Sequence, residues 1–110
     1  MSKRSGRAAV VDSLLYTWRA EEDLAAIFRR IARSDPDRAR KYVRSIEDRC
    51  ESLLDFPFQG KARDDLLPGI KTIPFVRSVV IAYRVFPEGV RIERIFSAGQ
   101  DYEAIIKSEK

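Results

Sequence analysis

The chain has 110 residues, 45% apolar and 35% charged, which is enough for one domain with a single modest core. That balance excludes a disordered or membrane-spanning chain, and the longest apolar run, Val79 to Tyr83, is far too short to cross a bilayer. The formal charge is +4, with one cysteine and no histidine, so a disulfide framework and the usual transition-metal ligand sets are excluded and no cofactor is expected.

Residues 1–11 are basic, and Asp12 interrupts the short apolar stretch Ala8 to Val11 before any signal-peptide core develops. They read as a flexible basic arm on a cytoplasmic protein, with one domain over 12–108. Residues 12–16 form a short candidate strand. Thr17 then offers a helix N-cap hydroxyl, and Glu21, Glu22 and Asp23 suit the positive end of a helix. Ala20, Leu24, Ile27, Phe28 and Ile31 recur at helical spacing on one face. Asp35 and Pro36 supply the N-cap and first position of a second helix, whose stripe is Ala39, Tyr42, Val43, Ile46, Cys50, Leu53 and Leu54. So short a link makes the two helices an antiparallel hairpin. On that stripe Cys50 reads as a small buried hydrophobe rather than a nucleophile, and it lacks a histidine base.

Residues 57–69 read as a loop punctuated by Pro and Gly. Three strands follow, at about 70–76, 77–86 and 90–97, with Pro87-Glu88-Gly89 closing a hairpin. The middle strand is apolar from Val79 to Tyr83, as a strand covered on both faces should be. In the third strand the two faces divide less cleanly. Residues 101–108 suit a short final helix. The architecture expected is α+β: an N-terminal strand, an antiparallel two-helix hairpin, a three-stranded antiparallel meander and a short C-terminal helix, with the helices gathered on one face.

Residues 19–55 hold nine cations and nine carboxylates, so the whole positive excess lies outside them. That excess suits an acidic partner, protein or nucleic acid, and equally a plain solubility charge. The five glycines are isolated and form no phosphate cradle, and no DNA-binding signature is visible.

Several segments in this order resemble the RelE/ParE superfamily of bacterial toxins, and ParE most within it. They are Ala20-Glu-Glu-Asp-Leu24, Asp35-Pro36 with Ala39 and Tyr42, Pro57-x-x-Gly60, Asp65-Leu-Leu-Pro-Gly-Ile-Lys71, Tyr83-Arg-Val85 and Val90-Arg-Ile-Glu-Arg-Ile95 leading to Asp101. The resemblance implies the toxin of a type II toxin–antitoxin pair that inhibits DNA gyrase by binding and is neutralised by a ParD-type antitoxin. It also implies that the complex represses its own operon and that the toxin alone binds no operator DNA. The alternative is a RelE-type ribosome-dependent messenger RNA endoribonuclease, and a third reading is an inert remnant or interaction module.

Cleavage needs cations on the scissile phosphate and groups that move protons. The two arginines of the RelE branch align with Val80 and Asp101, and its tyrosine lies near, but out of register with, Tyr102. No catalytic residue is therefore assigned. Candidates for binding an antitoxin or target are Trp18, Lys71, Phe75, Arg77 and Arg84. Core packing is the first reading of Trp18, and pairing of Arg94 with Asp101 or Glu93 is the first reading of that arginine. Ile27, Ile31 and Leu54 fit either a groove for an antitoxin helix or the closed core.

Overall fold

Thr17 sets where the helical layer begins. Its backbone N–H donates to Ile92 O at 3.0 Å and its hydroxyl to Glu93 O at 2.7 Å, while Oγ1 accepts from Ala20 N at 3.1 Å as the N-cap. One residue thus ends a strand, starts a helix and ties both to the sheet. The computed structural model describes residues 13–76, 78–97 and 99–109. The expected basic arm over 1–11, Asp12 and Arg77 lie outside them.

The elements are β1 (Ser13–Tyr16), α1 (Trp18–Ala32), α2 (Pro36–Glu51), a 3-10 turn (Ser52–Leu54), β2 (Lys61–Ala62), β3 (Lys71–Phe75), β4 (Val79–Phe86), β5 (Gly89–Phe96) and α3 (Tyr102–Ser108). Asp35 caps α2 through Arg38 N at 3.0 Å with Pro36 in its first turn, and Asp101 caps α3 through Ala104 N at 3.2 Å. The five strands form one sheet in the order β1-β5-β4-β3-β2, with β1 parallel to β5 and the other neighbours antiparallel. Strand β2 falls inside the segment expected to be a loop. It is two exposed residues long, so it carries no alternation from which a strand is read.

Successive strand residues point to opposite faces, and here each face has its own core. Ile81 and Tyr83 of β4 join Ile92 and Ile95 of β5 beneath Leu24, Ile27, Ile46 and Cys50 of the helical hairpin. Ala82 joins Phe96, Leu66, Ile70 and Ile106 on the other side. The apolar run of β4 is thus buried on both faces. The expectation of all helices on one face is corrected: α1 and α2 share a face, and α3 takes the opposite one, drawn there by Ile106. Ile27 and Leu54 are 1% and 5% exposed and belong to the closed core, not to a groove.

The uncertain faces of β5 have a physical cause. Ala82 registers with Arg94 and Tyr83 with Ile92, so Glu93 is an extra residue, a bulge. The bulge resets the alternation, placing both Ile92 and Ile95 on the hairpin side. It also gathers the charged side chains of β5 on the other.

Candidate functional site

The face of the sheet that carries α3 is apolar beneath that helix and charged beyond it. There Glu93 Oε2 accepts from Arg91 Nε at 2.6 Å and lies 3.5 Å from Arg84 Nε. Arg84 also donates from Nη1 to Pro68 O at 2.7 Å, which ties the loop before β3 to the strand. The Arg91 guanidinium sits 4.7 Å above the Phe86 ring.

Arg94 is held by a carboxylate from another layer. Its Nε donates to Asp23 Oδ2 at 2.8 Å, its Nη2 to Asp23 Oδ1 at 3.1 Å, and its Nη1 pairs with Glu109. Asp23 Oδ2 also accepts from Ile95 N at 2.8 Å. The reason lies in the sheet. Strand β1 pairs only with residues 89–92, so the N–H of Ile95 is left at a free edge, and Asp23 satisfies it. This corrects two expectations: Arg94 pairs with Asp23 and Glu109 rather than Asp101 or Glu93, and Asp23 does more than complement a helix dipole. The bidentate bond to Asp23 raises the Arg94 pKa further, so the guanidinium is a permanent cation.

The residues expected from sequence separate into two regions. Trp18 is 67% exposed, so its core reading is overturned. It borders a shallow concavity with Arg94, Ile105 and Glu109, and the Arg19 guanidinium lies 4.9 Å from its ring. Arg84 borders a neighbouring concavity of about 180 Å³ that shares Glu93, Arg94 and Glu109. Trp18 and Arg84 therefore flank one charged belt. Lys71 registers with Tyr83, so it lies on the hairpin side, its Nζ 5.4 Å from the Phe58 ring. Phe75 is half-buried, edge-on to Tyr42 at 6.0 Å. Asp23, Glu109 and the exposed pair Phe56 and Phe58 were not read from sequence as site residues. For the two aromatics the signal was there, since Phe-Pro-Phe in a Pro- and Gly-rich loop has little core to enter.

Among the described residues, the positions and groups that bond-breaking would draw on are engaged in packing, capping and pairing. Val80 packs against the second core and Asp101 caps α3. The Tyr102 ring stacks 5.9 Å from Phe96, and its hydroxyl accepts from Arg63 Nη1 at 3.4 Å. Arg63 itself binds Asp65 and Glu103, each at 2.9 Å. Burial pushes the Cys50 thiol up to about 12, so it stays protonated at neutral pH, and the Tyr16 hydroxyl beside it is raised further by the same cause. Among the described residues no cluster of carboxylate and thiol groups is placed to hold a metal, and no helix is long and apolar enough to cross a membrane.

Comparison with known proteins shows similarity in both sequence and structure. A family model described as the ParE toxin of the type II toxin–antitoxin system parDE matches residues 14–102. A solved chain from the "Chromosomal ParDE TA system from P. aeruginosa" superposes with a TM-score of 0.68 at 30% identity, covering 78% of this chain and 95% of that one. No curated protein matches the chain significantly.

Proposed function

Because this chain belongs to the ParE toxin family of type II toxin–antitoxin systems, we propose that it inhibits DNA gyrase by binding and is neutralised by a ParD-type antitoxin. It acts in the cytoplasm through a single domain over 12–108, preceded by a basic arm.

The observation that carries this reading is the state of the basic belt. Arg84, Arg91 and Arg94 are already matched by Glu93, Asp23 and Glu109. The two positions where the RelE branch carries arginine are spent on packing (Val80) and capping (Asp101). Electrostatic catalysis at a phosphate needs cations aimed at the developing charge, and a carboxylate there opposes it. A belt of matched charges bordered by an exposed tryptophan suits docking instead. Its rim is polar, and Trp18 supplies the large amphipathic surface that interface anchors have. Arg77 lies outside the described residues, and we propose from its sequence alone that it pairs with the antitoxin: Arg77→Glu should weaken antitoxin binding by more than about 1 kcal/mol.

Expression without antitoxin tests the reading. Induction of the SOS response with gyrase trapped on cleaved DNA is the expected result. Rapid codon-biased cleavage of messenger RNA with DNA synthesis intact would overturn it and establish the endoribonuclease alternative.

A further inference from the structure

The neutrality of the helical hairpin conceals a strong separation of charge. Residues 29–44 carry seven cations against two carboxylates, a net +5. The flanking stretches 19–28 and 45–55 carry −2 and −3. Because α1 and α2 run antiparallel, the end of one and the start of the other share one tip of the molecule, and the positive charge collects there.

Arg29, Arg30 and Arg33 lie at the end of α1; Arg38, Arg40, Lys41 and Arg44 occupy the first half of α2, and all seven are exposed. Among the described residues only Arg40 has a carboxylate partner, Asp37. Helix electrostatics accounts for the first group, since cations suit a helix C-terminus. It does not account for the second. Arg38 sits in the first turn of α2, at the positive end of that helix, where a cation costs stability, and Arg40, Lys41 and Arg44 lie beyond the reach of either helix end. The four cations from Arg38 to Arg44 span roughly 9 Å along the axis.

The chemistry of the tip selects its ligand. A protein partner would need desolvated apolar anchors, but among the described residues the large exposed hydrophobics (Leu15, Trp18, Phe56, Phe58 and Val76) all lie elsewhere. Single-stranded nucleic acid would need exposed aromatic rings for base stacking, but Phe28 is half-buried and Tyr42 packs edge-on against Phe75 on the core side. Double-stranded RNA is recognised partly through its 2′-hydroxyls. The polar groups suited to that are engaged: Asp35 caps α2, and the hydroxyls of Ser34 and Ser45 donate to Ile31 O and Lys41 O. What remains is an array of long, exposed cationic side chains. We propose that the α1–α2 tip docks on the phosphate backbone of double-stranded DNA without reading its sequence.

The test is fluorescence anisotropy of the full-length chain with a labelled 20-base-pair duplex of arbitrary sequence, across a salt series. Arg33→Ala/Arg44→Ala should lower affinity at least about tenfold and reduce the slope of log K against log salt by about 2, since each lost phosphate contact removes about 0.9. Lys61→Ala/Lys107→Ala removes the same charge elsewhere and should leave the slope within about 0.5 of wild type. Arg33→Lys/Arg44→Lys, which keeps both charges, should retain the wild-type slope and guards against an unfolded double-alanine variant. No binding at low salt, an equal loss in both double-alanine variants, or tighter binding to single-stranded DNA or duplex RNA of the same length would each overturn the proposal.

Discussion

Asp23→Ala removes three hydrogen bonds at once and tests how α1 is fastened to the sheet. The Ile95 amide is the clearer part. Ile95 is 1% exposed, so its N–H exchanges a charge-assisted bond for none, which costs about 1.5–3 kcal/mol. The Arg94 part is smaller than for an isolated buried pair. Both side chains are mostly screened from water, at 13% and 14% exposed, but Glu109 still accompanies the guanidinium, so about 1–2 kcal/mol is appropriate. The sum, about 2.5–5 kcal/mol, is a large fraction of the stability of a domain this size. Asp23→Asn keeps an acceptor for Ile95 and should lose only about half as much. Urea unfolding measures both, with a lower midpoint and an unchanged m-value expected. A double-mutant cycle with Arg94→Met should give a coupling of at least about 1 kcal/mol. If Asp23→Ala unfolds within 1 kcal/mol of wild type, or the coupling vanishes, the fastening assigned to Asp23 is wrong.

Trp18→Ala should change stability by less than about 0.5 kcal/mol, because the ring is mostly in solvent, yet weaken antitoxin binding by about 2 kcal/mol; unaltered affinity by calorimetry would remove Trp18 from the interface. Gly89→Ala places a Cβ against the backbone oxygen of Ser13, so β1 must part from β5 at a cost of about 2–3 kcal/mol; wild-type protection of the β1 amides from hydrogen exchange would contradict this. Alkaline pH should also destabilise the fold. The Cys50 pKa rises from 9.0 to about 12 on folding, so above pH 9 the native chain holds a proton that the unfolded chain has lost. The stability linked to this thiol is full below pH 9 and is lost as pH rises toward 12. Urea midpoints at pH 8 and 10.5 should differ less in Cys50→Ala than in wild type, and an equal difference would refute the assignment.

Most of the architecture was legible because its signals are local. Thr17 and Asp35 with Pro36 each mark a helix start by chemistry that acts within four residues, and the apolar run of β4 announced two buried faces. What escaped reading depends on contacts far apart in sequence. Asp23 looked like a helix-dipole acid because nothing near it reveals that β1 stops short of Ile95, which lies 72 residues on. The bulge at Glu93 is invisible until β4 is laid beside β5. Trp18 sits at a position where a helical repeat permits either core or solvent, and the short β1 and the bend at Thr17 decide between them. The candidate site was legible as a supply of arginines but not as a belt, since its neutralising carboxylates come from α1, β5 and the end of α3.

Binding without bond-breaking is tested most directly by adding the purified toxin to purified DNA gyrase and relaxed plasmid. Supercoiling should fall with increasing toxin, with gyrase–DNA cleavage complexes accumulating and a ParD-type antitoxin restoring activity. Full supercoiling at toxin in large excess, together with cleavage of messenger RNA on added ribosomes, would contradict the account.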